Sequence, residues 1–468
     1  MEPKRHQQFQ IPKLMATQSQ PPSVSKPLYK NARHLAQRIF FGTMAAIQVR
    51  PAMHSKLKRE GSSLRAGEIS IPLRHPPRVV AFGKAAQGMV IALNEILGGE
   101  IDAGVVVAPA EPPLKVARFR YFVGGHPYPN QGSIDGAKAA LDLVSGLVAE
   151  DLVIFLVSGG GSALLEAPLQ PNVALPDLVE FNRVLVTSGL PIEQINVLRK
   201  HVSAVKGGRL AARACPAVQF TVFISDVPED LASMVASGPT LPDDSTVGEC
   251  YALAERAGLV AKFPRTIREQ FLERTLRETP KPSDGRFANS RSFCLLSNRD
   301  AVEAARAAAE GLGFVAKIDS GRWDADYQQV AQANLASLDA LARAHPGQPV
   351  CLVVGGEVTC PVTGPGIGGR NQAFVLYATG KIAGQPRLVL SAGTDGRDGN
   401  SPSSGAVADG NTMARAQALG LDPAAFLAES DSYHFFCTLG DTLETGFTNN
   451  NVRDVRLWMD FGTDVRCP

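Results

Sequence analysis

An α/β protein of two domains is what this sequence predicts, and three observations carry the prediction. Its 468 residues exceed what one hydrophobic core ordinarily serves. Continuous apolar runs rich in branched side chains, Leu152 to Val157 the clearest, suit parallel strands covered on both faces. Strand signals alternate with helical spacing, and the alternation starts afresh beyond a polar stretch at 281–289.

Composition narrows the classes. Hydrophobic residues make up 44% and charged residues 20%, the balance of a globular protein. A net charge of +2 gives no field to attract nucleic acid, and no apolar stretch reaches the length of a membrane span. The seven cysteines are dispersed, odd in number and without a C-x-x-C pair, which points to reduced thiols in an intracellular protein. Histidine spacing offers no protein-caged zinc.

In chain order, residues 1–26 are polar and rich in Gln, Ser and Pro, and read as a flexible extension. Helical spacing then links Ala32, Leu35, Ile39 and Phe40. Val79 to Phe82 read as a strand, Gly83 turns the chain, and Lys84 opens a helix. A lysine there adds its charge to the positive end of the helix and favours phosphate, while a solvated lysine is the plain alternative. After a strand at Ala103 to Val107, His126 lies in a loop of glycines and prolines, free to meet a ligand or a backbone carbonyl.

The run at Leu152 to Val157 ends in Ser158, Gly159, Gly160, Gly161 and Ser162, with Ser162 placed to cap a following helix. Such a strand–turn–helix junction gathers backbone N–H groups and suits an anion, although a merely structural turn reads equally from the residues. Neither G-x-G-x-x-G nor a P-loop word fits it. Asn196 to Ala212 reads as one basic helix bringing Arg199 and Lys206 to one face. Phe220 to Ile224 forms a strand with Asp226 beyond its C-terminal end, where open α/β sheets place ligands. A boundary near Gly285 divides the chain into 27–285 and 286–468, and the strand beginning at Phe293 is expected to open the second unit.

The second half carries VCLVVGGE, GPGIGGRNQ and LVLSAGTDGRDGNSPSSG. These clusters place Glu357, Arg370 and Asp395 beside glycine turns at strand ends. With Lys84 and Asp226 they supply what phosphoryl transfer needs: cations for the transition state and carboxylates for Mg²⁺ and the accepting hydroxyl. Gly368 and Gly369 beside Arg370 could bring its backbone close to a polyphosphate.

The words FGKAAQGM, GGHPYP, VSGGGSALL, LRKHVSAVKGGRLA, ISDVPED, ASGPT, GGEVT, GIGGRNQ and SAGTDGRDG follow in order from residue 82 to residue 399, within a resemblance that covers about 29–454. They resemble the MOFRL-type glycerate 2-kinase family. The resemblance implies a Rossmann-like N-terminal domain, a C-terminal domain holding the MOFRL region, and an active site in the cleft between them. It implies ATP-dependent phosphorylation of D-glycerate at the 2-hydroxyl with Mg²⁺ or another divalent cation. Apart from the resemblance, a cytoplasmic location is expected, with a mitochondrial one as the alternative, and a homo-oligomer is left open. Lys84 and Arg370 fall on the family's catalytic lysine and arginine. Ser158, Gly159, Gly160, Gly161, Ser162, Lys206 and Asn371 would bind nucleotide or substrate, and Asp226, Glu357 and Asp395 would serve as metal ligands or base. The chain departs from the family at Ala373, where glutamate is common, at RDGNSPSSG, and at GFTNNNV (446–452). Two other readings stand beside the kinase: an NAD(P)-dependent hydroxypyruvate reductase and a weakened sugar-acid binding homologue.

Overall fold

A computed structural model describes residues 26–227, 229–321 and 323–462. Of the expected N-terminal extension, only Lys26 lies among them, as the first residue of the helix Lys26–Ala46.

A three-stranded antiparallel sheet, β1 (Leu57–Glu60), β2 (Ser63–Ala66) and β3 (Ile69–Pro72), precedes the first large sheet. That sheet has six strands: β4 (Arg78–Phe82), β5 (Ala103–Ala108), β6 (Phe119–Val123), β7 (Leu152–Val157), β8 (Val218–Ile224) and β9 (Ser290–Leu296). All pair in parallel, in the spatial order β6-β5-β4-β7-β8-β9. Counted from β4 this is 3-2-1-4-5-6, the doubly wound Rossmann order. Strand residues alternate between two covered faces. Val79 and Ala81 join Met89 and Leu93 of the helix Ala86–Ile96, while Val80 and Phe82 join Ala137 and Ala140 of the helix Gln131–Leu143. This double burial explains why β7 contains no polar residue. The long connections around β8 fold into a separate helical lobe, cored by Phe181, Leu198, Tyr251 and Phe271.

The second sheet is mixed. It comprises β10 (Val315–Asp319), β11 (Val350–Val354), β12 (Arg387–Gly393), β13 (Gly405–Asp409), β14 (Thr442–Leu443) and β15 (Asp454–Asp460), in the order β10-β11-β15-β12-β13-β14. Only β10 and β11 are parallel; β15 inserts antiparallel between β11 and β12. Every residue of β15 is buried, Arg456 and Trp458 completely.

Two sequence expectations change here. The strand expected to open the second unit is β9, which pairs in parallel with β8 and completes the first sheet. The crossing to the second sheet therefore falls after β9, where the helix Asn298–Glu310 begins, and not near Gly285. Alternating βα signals do not reveal which sheet a strand joins. The segment Asn196 to Ala212 is also not one helix: Ile192–Val202 ends at an extended Ser203, and a second helix begins only at Arg209. Gly207 and Gly208, at φ +56° and +78°, break it in a conformation that disfavours other residues.

The first helix packs against the helix Asn298–Glu310 and against β12 and β13 of the second sheet. Arg33 pairs with Asp409 of β13 at 2.6 Å and with Asp441 at 2.9 Å, and both carboxylates are buried. Removing one partner of a buried pair leaves an uncompensated charge. Arg33→Ala should cost about 3 kcal/mol in urea unfolding; a loss below about 0.5 kcal/mol would class the pair with surface bridges of little consequence.

Candidate active site

The strand order of the first sheet reverses between β4 and β7, and open α/β sheets bind ligands at such a reversal. The turns that leave these two strands interlock. Ser158 N donates to Phe82 O at 3.1 Å, Lys84 N to Gly159 O at 3.0 Å, and Ala85 N to Ser158 Oγ at 3.0 Å. Gly83, at φ +116°, lies so close that a Cβ there would overlap Ser158 Oγ. Lys84 is therefore aimed from the switch point. A Cβ on Gly160 would stand 3.1 Å from His126 Cδ2 and 3.4 Å from Lys84 Cγ, and one on Gly159 2.5 Å from Asp226 Oδ2. One small region thus gathers Lys84, His126, Asp226 and the glycine turn. Burial, and then the charge of Lys84, push the His126 imidazole below its ordinary pKa, against the pull of Asp395. Burial pushes the Asp226 carboxyl up, against the pull of Lys84 and Arg453.

The second domain faces this region. Lys84 Nζ reaches Asp395 Oδ2 at 3.3 Å. Arg370, first residue of the helix Arg370–Thr379, grips Asp454 with both Nε (2.7 Å) and Nη2 (2.8 Å), and its Nη1 stands 3.1 Å from Glu357 Oε1. Burial alone would raise the Asp454 carboxyl, but the Arg370 charge wins and holds it below the usual carboxylate range. Arg453 pairs with Asp324 and approaches Glu357 Oε2 at 3.9 Å. Glu357 keeps 39% of its side chain in contact with solvent, yet lies deep in the cleft. Desolvation by the cleft walls outweighs Arg370 and pushes its pKa up to about 7.

Several sequence-predicted residues take other positions. Lys206 is fully buried and pairs with Glu166, which also accepts from Ser203 Oγ at 2.6 Å; although no single helix carries both cations, Arg199 interacts with the same carboxylate, so the anion they share is a side chain of the protein. Ser162 does not cap a helix: Gly160, at φ +81°, precedes a single turn Gly161–Leu164, and Ser162 Oγ bonds Ser237 Oγ at 2.8 Å. Ser158 is buried, with its hydroxyl committed to Ala85. Asn371 is buried too: its Nδ2 donates to Asp398 and its Oδ1 accepts from Ser391 at 2.5 Å. On the side a Cβ would take, the glycines before Arg370 meet protein, since a Cβ on Gly369 would overlap Asp398 and one on Gly368 would overlap Ser432 Oγ; their other side faces a cavity.

Sequence reasoning did not single out Asp454, Asp398, Arg453 or Asp324. Asp398 is fully buried and accepts from Asn371 N (3.0 Å) and Gln372 N (2.8 Å), filling the positive end of the Arg370 helix with a carboxylate. It sits in the DGRDGN word, so its neighbourhood was flagged. Asp454 had only its place at the head of an alternating strand as a signal. The GFTNNNV segment braces the site despite its divergence: Thr448 N donates to Asp395 O at 3.3 Å, and Thr448 Oγ1 to Thr394 O at 2.7 Å.

A doubly wound domain beside a mixed-sheet domain, with cations and carboxylates gathered at the strand reversal, defines a two-domain α/β protein. Comparison with known proteins narrows this. A domain of unknown function, DUF4147, matches residues 35–272, and the MOFRL family matches residues 350–454. The D-glycerate 2-kinase of Thermotoga maritima is 36% identical over 84% of this chain and 93% of its own length. The glycerate kinase of Homo sapiens is 33% identical over 90% and 92%. The crystal structure of the Thermotoga maritima glycerate kinase superposes with a TM-score of 0.78 at 33% identity, covering 92% of this chain and all of that one. The chain belongs to the MOFRL-type glycerate 2-kinase family.

The raised Glu357 pKa sets a pH signature. A carboxyl whose folded pKa exceeds its unfolded value of about 4.3 binds more protons in the native state between the two. Its contribution to stability is then present in acid and is lost as pH rises towards about 7. Subtracting Glu357→Gln unfolding free energies from those of the wild type should give a difference that falls between pH 5 and pH 7. A flat difference would mean that Glu357 is ionised throughout that range.

Proposed function

We propose that this chain transfers the γ-phosphoryl group of ATP to the 2-hydroxyl of D-glycerate, giving 2-phospho-D-glycerate and ADP, and that it does so in the cytoplasm. What supports the reading is a chain of charges between the domains: Lys84 pairs with Asp395, Asp226 interacts with Lys84 and Glu357, and Glu357 stands beside Arg370. Phosphoryl transfer asks little covalent chemistry of a protein and much positioning and charge stabilisation. Cations from both domains, gathered in a partly desolvated cleft, meet that demand.

Lys84 and the turn Gly159 to Ser162 hold the acceptor end, where the glycines let a small carboxylate approach the backbone. Arg370 and Lys84 neutralise the transferring group. The acceptor oxygen bonds to the γ-phosphorus as the bond to the bridging oxygen of ADP breaks, and the hydroxyl proton passes to Glu357. A carboxylate poised near pH 7 suits that step. Lys206 and Asn371 act from behind the site, through Glu166 and Asp398.

Among the described residues no group of three or more His, Cys, Asp or Glu side chains is gathered for a metal. Mg²⁺ does not require one, because it takes one or two carboxylates with phosphate oxygens and water. Asp226 and Asp395, which both interact with Lys84, fit that role. A bound Mg²⁺ would supply charge neutralisation to the phosphates.

A reductase would need a dinucleotide fingerprint at the β4–β7 switch point, and FGKA and SGGGS are not one. No helix among the described residues is long and apolar enough to cross a membrane.

ADP release from ATP should depend on D-glycerate and a divalent cation, with 2-phosphoglycerate identified by ³¹P NMR. Arg370→Ala and Lys84→Ala should each lower kcat by on the order of 10³, the low end for a transition-state cation. A variant retaining near-wild-type turnover would remove that residue from the mechanism.

A further inference from the structure

Two cavities flank the charged cleft. The larger, about 600 Å³, lies in the second domain against the Arg370 helix and opens on Glu357 and Arg370 at its inner end. The other, about 500 Å³, lies beyond the C-terminal ends of β10 and β11 and touches Arg453. Three-carbon glycerate needs neither volume, whereas both lie within the range that encloses a drug-sized ligand. If the chain is a kinase, either has room for the nucleoside of its phosphoryl donor.

Lining chemistry separates the two. The smaller cavity sets Val302, Ile318 and Trp323 among five charged residues, Arg299, Glu303, Asp319, Asp324 and Arg453, charges that would lose solvation under a flat uncharged base. The larger has three charged residues, Asp326, Glu357 and Arg370, and presents Val358, Val362, Phe426 and Leu427 beside them. Val362 is 85% exposed, a large apolar side chain with no cover of its own. Ala373, one turn into the Arg370 helix, is the small residue that leaves the inner wall open.

The larger cavity is also preformed. Its rim, the glycine-rich segment 363–369, is tied down at successive residues. Thr363 N donates to Ser430 Oγ at 2.9 Å, Gly366 N to Glu429 O at 2.9 Å, Ile367 N to Asp431 Oδ1 at 2.9 Å, and Gly368 N to Asn400 Oδ1 at 2.8 Å. The Phe426 ring is held edge-on by Phe435 at 5.6 Å. A site that needs no ordering on binding keeps more of its contact energy as affinity.

We infer that this cavity receives the base and ribose of the nucleoside triphosphate, stacked against the Val358, Val362 and Phe426 wall, with the phosphates leading past Arg370 to Lys84. The inference rests on the kinase reading and adds where the donor lies. It gives the glycine-rich GPGIGG segment a second duty: it is a rigid rim for the nucleoside, and the phosphate charge is met by the arginine that follows it.

Filling the cavity tests this. Ala373→Phe should raise the KM for ATP about tenfold or more, as steric exclusion from a shaped pocket does, and leave the KM for D-glycerate within about twofold. Val362→Asp, at an exposed position that cannot disturb the core, should raise the KM for ATP about fivefold, the worth of a small apolar contact. Val302→Phe, in the other cavity, should leave it unchanged. An unchanged KM for ATP in both of the first two variants, a rise confined to D-glycerate, or a rise in Val302→Phe alone would overturn the assignment. Binding of a fluorescent ATP analogue without acceptor separates the two claims. Nucleotide binding that Ala373→Phe abolishes, in a protein that phosphorylates no glycerate, would uphold the cavity and sink the kinase reading. Glycerate turnover with nucleotide affinity unmoved by Ala373→Phe would do the reverse.

Discussion

The contact between Gly83 and Ser158 is the constraint on which the cleft depends. Two parallel strands, β4 and β7, pair directly at the point where the strand order reverses, so the chains leaving them must diverge from almost the same place. Only a residue without a side chain fits at Gly83, and the buried Ser158 hydroxyl then fastens the start of the neighbouring helix through Ala85 N. Lys84 is the next residue. Its reach towards Asp395 in the other domain follows from backbone geometry that leaves it little choice of direction.

Charge balance supplies the second constraint. Three cations of the cleft are matched, Lys84 with Asp395, Arg370 with Asp454 and Glu357, Arg453 with Asp324 and Glu357, while the buried Arg456 behind them donates to Gly355 O and lies over the Phe374 ring. Desolvated charges without partners would be costly, so the alternation holds long flexible side chains in place. Asp454 and Glu357 illustrate how environment divides like groups. Both lose solvation, but the bidentate grip of Arg370 keeps Asp454 ionised while Glu357, held less closely, is pushed up to about 7. Two carboxylates beside one arginine thus take different roles.

Much of this was legible in the sequence where local rules decide. The run Leu152 to Val157 is β7 to the residue, and the glycine–lysine and triple-glycine words mark both strand ends that make the switch point. Legibility failed where partners are distant. Asp454 acts through an arginine 84 positions away, and no periodicity announces it. Lys206 reads as a free cation because its partner Glu166 lies across a loop. The glycines before Arg370 suggested a phosphate, yet their neighbours are Asp398 and Ser432, a close packing that only the folded chain discloses. β9 shows the same limit for topology, since its sheet is set by which edge is open and not by its own residues.

Lys84 and Arg370 belong to different sheets, and the account holds that they act on one phosphoryl group. A double-mutant cycle in kcat/KM with Lys84→Ala, Arg370→Ala and the pair tests that claim most directly. Groups acting as a unit lose far less together than the product of their separate losses, so the double variant should fall within about tenfold of the worse single one. Losses that multiply would show two cations at independent sites, and the shared interdomain site would not stand.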